Sequence, residues 1–291
     1  MWQALLNVLV PVFITVGIGY LWVRMKLEID PAFISRIVIN VGSPALAFYG
    51  LTTMKVSGDL FARMSLVAGL TLVAMMAANW LMLRARGLSL RDWLHPLTFP
   101  NWGNLGLPLC YFAYGDTGLT LAIAFYAVSS ASQLTIGVLM ASGQMKPVLL
   151  MRMPMVYAIG LALMFLYAGV TPPTWMLNTA DLISGLMMPM MLLALGASLA
   201  SLKVTHFRET LSLVVYRYVL GIGAVYGIAR LVGLEGEAMG VALIQGAMPI
   251  AVLNYLLAAR FNNQPQRVAS LVVLSTLLSL AIIPLLLGFL L

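Results

Sequence analysis

Long apolar stretches separated by short polar or charged punctuation run the whole length of this chain. Each stretch is about 20 residues, the length a helix needs to cross a hydrocarbon core of roughly 30 Å, so the pattern predicts an all-α membrane protein with ten spans. Their approximate limits are residues 3–23, 32–52, 60–83, 94–113, 118–140, 148–169, 180–201, 209–231, 237–259 and 268–290. Two spans are interrupted by the same vocabulary. Span four contains Asn101-Trp102-Gly103-Asn104-Leu105-Gly106-Leu107-Pro108, and span nine contains Gln245-Gly246-Ala247-Met248-Pro249 followed by Asn254. A helix broken inside a bilayer frees backbone groups that lipid cannot satisfy, so the break faces protein, water or a polar ligand. Paired breaks in two halves of a chain point to a transporter.

The prolines suggest what the halves are. Pro11, Pro44 and Pro108 recur roughly 140 residues later as Pro154, Pro189 and Pro249, which predicts matched kinks in two repeats, residues 1–140 and 148–291. Each repeat holds an odd number of spans, so the second enters the membrane with opposite polarity. Inverted repeats of this kind work by alternating access.

Composition changes the picture in one respect: it removes soluble alternatives. With 62% hydrophobic and 9% charged residues, the chain has too little charge to cover a soluble globule. The net charge of +7 is explained by topology rather than by nucleic acid. Most Lys and Arg lie in loops after odd-numbered spans, from Arg24 and Lys26 through Arg84, Arg86, Arg91, Lys146, Arg152, Lys203 and Arg208 to Arg260 and Arg267. The positive-inside rule makes those loops cytoplasmic and puts both termini outside a bacterial inner membrane. The first stretch lacks a basic leader and a small-residue cleavage site, so it reads as a retained span. Cys110 is the single cysteine, which excludes an intramolecular disulfide and a cysteine-clustered metal site; no cofactor or metal is expected.

The breaks carry the candidate chemistry. A half-helix that starts near the midplane presents free N–H groups and a positive dipole end, a site for an anion. Asn101 and Asn104 add amide donors three residues apart, on one helical face, and Gly103 and Gly106 allow close backbone approach. Gln245 and Asn254 supply matching amides from the other half. For all four amides, ligand contact and capping of broken helix ends both stand as readings. Tyr126 and Gln133, seven apart in span five, share a face and would line a cavity or bond another helix. Pro44, after Asn40-Val41-Gly42-Ser43, and Pro189, within Met187-Met188-Pro189-Met190-Met191, would line the cavity or kink helices for packing. The methionines read as packing rather than copper ligands, because no His or Cys accompanies them. Trp102 reads as a packing or interfacial residue.

Charge placement bears on coupling. All nine acidic residues lie in loops or at span ends, so no midplane carboxylate is present to carry protons. His95 and His206, near cytoplasmic ends, are read as solvated. Sodium held by carbonyls and amides at the breaks stays open. Arg36 is expected to snorkel to the interface, whereas Arg217, about two turns inside span eight, either attracts an anion or snorkels. An intramembrane enzyme would need a midplane nucleophile and base that the chain does not offer.

Ser43-Pro44-Ala45-Leu46 in span two, the span-four motif with the following Gly115-Asp116, and Ala247-Met248-Pro249-Ile250-Ala251-Val252-Leu253-Asn254 in span nine resemble the auxin efflux carrier family of bacterial and plant transporters. The likeness covers nearly the whole chain. It implies a scaffold of spans one, two, six and seven and a transport domain of spans three to five and eight to ten. It further implies crossed broken helices at Pro108 and Pro249, elevator-like movement and a homodimer formed through the scaffold. Bacterial members are associated with malonate, malate and similar acids, so the resemblance implies a secondary carrier of small organic anions, dicarboxylates foremost, with Asn101 and Asn104 on the carboxylate. The alternative is a sodium-coupled symporter of the bile-acid transporter type, whose architecture is similar. Met248 and Ala247 stand where the family places Asn before the second crossing proline, and the short centre, about Ala141 to Pro147, lacks the long loop of plant carriers.

Overall fold

A computed structural model of the chain describes residues 2–53, 56–143 and 153–290. Lys55, Lys146, Arg152 and the start of span six lie outside the described residues. Those that are described form helices and connecting turns, with one isolated bridge. The helices are α1 (Trp2–Arg24), α2 (Pro31–Ile37), α3 (Ser43–Thr52), α4 (Gly58–Ala85), α5 (Leu90–Thr98), α6 (Gly106–Ser132), α7 (Val138–Ser142), α8 (Pro154–Ala168), α9 (Thr174–Ser201), α10 (Phe207–Val232), α11 (Gly236–Gly246), α12 (Val252–Phe261) and α13 (Pro265–Leu290).

Seven of the described helical stretches are long and apolar enough to cross a membrane. The difference from ten has a local cause. Spans four and nine are each divided, into α5 with the start of α6 and into α11 with α12, so neither contains a full-length helix. Span six is described only as the 15-residue α8. Span four meets span five at a kink inside α6, where Tyr114 and Gly115 leave the helical conformation and Gly115 takes a φ of 60° that a side chain would disfavour.

The proline pairs do not occupy matched kinks, which corrects the repeat argument built on them. Pro11 lies inside α1 whereas Pro154 opens α8; Pro44 opens α3 whereas Pro189 sits on the exposed face of an unbroken α9. Pro108 is in the first turn of α6, eight residues beyond Pro100, and it is Pro100 that meets the second break beside Pro249. A proline early in a helix removes only an N–H that has no intrahelical partner, so it need not bend anything.

Two π-helical segments relieve the chain elsewhere, Val38–Gly42 before α3 and Gln133–Gly137 before α7. At the first, Pro44 has no N–H to offer the preceding turn, and Ser43 bonds Val38 from both its backbone N–H and its hydroxyl, at 2.8 Å for the latter.

Packing divides the helices into two groups. In one, α1 packs on α9, α3 on α8 and α9, and α2 on α9; in the other, α4, α5, α6, α10, α11, α12 and α13 pack on one another. The α1–α9 contact is unusually close because glycines face backbone across it. A Cβ on Gly19 would meet the Leu193 carbonyl, and one on Gly196 the Val16 carbonyl. Gly196→Ala is therefore expected to push two backbones apart and destabilise the protein by about 2 kcal/mol. Thermal unfolding in detergent checks this, and an unchanged midpoint would mean that the pair is not a rigid unit.

Candidate substrate site

The two breaks cross. The Asn101 N–H donates to the Pro249 carbonyl at 2.7 Å and the Ala251 N–H to the Phe99 carbonyl at 3.4 Å, forming an antiparallel bridge between Pro100 and Ile250. Side chains bind the crossing further. Trp102 Nε1 donates to the Gln245 carbonyl at 2.7 Å, and Gln245 Nε2 donates back to the Trp102 carbonyl at 3.4 Å. The Trp102 ring, buried, stands edge-on to Phe125 with centroids 4.8 Å apart, which makes it an internal clamp rather than an interfacial residue. From α13, Ser275 Oγ accepts the Ile250 N–H at 3.0 Å.

Beside the crossing lies a cavity of about 240 Å³. Pro100, Asn101, Gly103 and Asn104 line it from the first break and Ala251, Val252 and Leu253 from the second. Tyr126, Ser129, Ser130 and Gln133 form a stripe on the end of α6 and the following π segment. The opposite wall, from the other packing group, includes Ser35, Val38, Ile39, Asn40, Pro154, Met191, Leu195 and Ser198. Among the described residues that line it, none is charged.

Five of the expected binding residues therefore meet at one cavity: Asn101, Gly103, Asn104, Tyr126 and Gln133. The other four do not line it. Gly106 is inside the crossing, against the Gln245 side chain. Gln245 forms the clamp with Trp102. Asn254 donates to the carbonyls of Pro96 and Phe99 at 3.2 and 2.8 Å and accepts from Gln133 Nε2 at 2.7 Å, which fills its amide with helix-end duty. Arg217 is buried and donates to the Met248 carbonyl at 3.1 Å, so it neither snorkels nor touches the cavity. Of the hinge prolines, Pro44 and Pro189 lie off the cavity wall, where Met191 and the π segment take their place. His95 is buried against Phe99 and Gly137 rather than solvated, while His206 is exposed. Arg36 is exposed and pairs with Asp30, as snorkelling requires.

The electrostatics of the crossing are one-sided. Helices α5 and α11 end there, and their terminal carbonyls receive side-chain donors: Asn254 on Pro96 and Phe99, Trp102 on Gln245, Arg217 on Met248. Helix α12 begins there, and its N-cap, Ala251, has no side-chain atom to accept the first-turn N–H groups. This positive end opens on the cavity, next to Asn101 Nδ2, which is buried without a hydrogen-bond partner. Tyr126 connects the walls: its hydroxyl is 2.7 Å from Ser43 Oγ, whose own proton goes to Val38, so Tyr126 is the donor. Its ring leaves no room for a side chain at position 103, where a Cβ would come within 2.6 Å.

Residues 139–287 match a family model described as "Membrane transport protein". The chain belongs to this family, the auxin efflux carriers. An uncharacterized transporter of Methanothermobacter thermautotrophicus is 28% identical over 290 residues, 94% of this chain and 94% of that one. An uncharacterized transporter of Methanocaldococcus jannaschii is 23% identical over 197 residues, 64% of this chain and 63% of that one. This carrier is thus a membrane transporter, and the matched segment includes the whole second break.

Proposed function

We propose that this transporter is a secondary carrier of small organic anions, held by one carboxylate at the crossing, with an apolar body in the rest of the cavity. The observation that carries this is the pairing of an uncapped α12 N-terminus with the unpartnered Asn101 amide in a cavity whose other described lining residues are uncharged, Ser, Asn, Gln and Tyr among Met, Leu, Val and Ile. One helix N-terminus among uncharged lining residues favours monocarboxylates over the dicarboxylates that the resemblance suggests, because a second carboxylate would be desolvated with no cation beside it among the described lining residues. Purified protein should show a rise in thermal midpoint with hexanoate and a smaller one with malonate. Labelled hexanoate should exchange into proteoliposomes, in mildly alkaline buffer, faster than into protein-free liposomes. No shift with any organic acid would overturn the reading.

The two packing groups support an elevator, with α1–α3, α8 and α9 as scaffold and the remaining helices carrying the site, as the moving body of two inverted repeats. The Tyr126–Ser43 hydrogen bond then lies across the sliding surface. A scaffold-mediated homodimer in an inner membrane, termini outside, belongs to the same proposal. Sodium coupling has less support, since the helix-end carbonyls that would coordinate the ion already accept protein donors. Hexanoate affinity is accordingly expected to be equal in sodium and potassium buffers; dependence on sodium would favour the symporter.

A further inference from the structure

Arg217 does more than the crossing requires. It is 1% exposed inside a membrane-length helix, and its Nη2 donates to Met248 while Nε and Nη1 have no hydrogen-bond partner. The ion pairs among the described residues are Arg36–Asp30, Arg63–Asp59 and Arg267–Glu209, and none involves it. Room for it is made by Gly221, where a Cβ would meet both Arg217 Nη1 and the Gly246 carbonyl. A neutral donor would serve one carbonyl as well, and a full charge at membrane depth is expensive. The C-terminal end of α11 offsets roughly half an elementary charge and leaves the remainder.

The remainder has a direction. Met248 precedes Pro249, whose carbonyl accepts the backbone N–H of Asn101, and the Asn101 side chain lines the cavity. The guanidinium thus stands behind the crossing, a couple of extended residues from the cavity, on the order of 10 Å.

We infer that Arg217 is the fixed counter-charge of the substrate site, acting through the crossing rather than by contact, and that it selects anions over neutral molecules of the same shape. This rests on the reading that the cavity binds a carboxylate. At that separation and an effective dielectric near 20, it favours the anion by about tenfold.

A merely structural Arg217, capping α11, would leave the preference for acid over amide unaltered. The test is calorimetric titration of hexanoate and of hexanamide into wild type, Arg217→Gln and Arg217→Lys. Arg217→Gln should weaken hexanoate about tenfold and leave hexanamide unchanged, and Arg217→Lys should keep the acid preference. Equal weakening of both ligands, or Arg217→Lys behaving like Arg217→Gln, overturns the proposal. If Arg217→Gln does not fold, Arg217→Met gives the same reading, because an apolar side chain of comparable length removes the cost of the buried charge and leaves one carbonyl, that of Met248, without this donor. Asn101→Ala separates the two claims. Unchanged hexanoate binding in that variant overturns the site reading and this one with it, whereas an unchanged acid-to-amide ratio in Arg217→Gln overturns the counter-charge alone.

Discussion

Alanine at position 101 is expected to weaken hexanoate binding by about thirtyfold while leaving the protein folded. A hydrogen bond to an ionised group contributes about 1.5–3 kcal/mol, which spans roughly ten- to a hundredfold in affinity. The fold should survive because the backbone of Asn101, not its side chain, holds the crossing: its N–H bonds Pro249 and its carbonyl accepts from Gly106 at 3.2 Å. The amide nitrogen, buried and without a partner, is in fact a liability to the empty protein. Thermal stability without ligand should therefore be equal or higher in Asn101→Ala. Titration paired with an unfolding scan checks both halves. Wild-type affinity, or a fall in the unliganded midpoint, would show that the side chain serves the crossing instead.

Asn254→Leu should do the reverse and destabilise the protein by about 4 kcal/mol, since each buried polar group left unsatisfied costs roughly 1–3 kcal/mol. Three lose their partner at once, the carbonyls of Pro96 and Phe99 and the amide of Gln133. Of these, only the Phe99 carbonyl keeps a second donor, the Ala251 N–H at 3.4 Å. The expected outcome is a midpoint lowered by about seven degrees or protein that does not stay monodisperse. A stable Asn254→Leu that fails to bind would instead place Asn254 among the ligand contacts. The two asparagines have the same side chain and lie at corresponding breaks, yet one is held in reserve and the other is fully committed.

That contrast marks where the sequence was legible. The breaks could be read because Gly, Pro and amides stand out against apolar surroundings, and lipid tolerates such a run only where protein or ligand covers it. Asn101 and Asn104 followed from that, as did the Tyr126 to Gln133 face. Ser129 and Ser130 were missed although they continue that face at helical spacing from Tyr126. Counting polar side chains of every size along the stripe, rather than the largest, would have found them. The fates of Gln245, Asn254 and Arg217 were not readable. An amide or guanidinium that seals a helix end and one that grips a ligand have the same chemistry, and only the partner's position tells them apart. Proline spacing misled for a related reason: Pro108 in a first turn and Pro249 in a break share a letter but not a backbone environment.

The mutual clamp of Trp102 and Gln245 joins residues 143 positions apart in the chain. During synthesis the first break reaches the membrane long before the second has been translated. Until α11 and α12 arrive, Trp102 lacks its acceptor, Asn101 its backbone partner, and the Pro96 carbonyl its cap. The N-terminal half must therefore wait in a sheltered setting, held by the insertion machinery or kept near water, and the binding cavity is among the last features the nascent transporter completes.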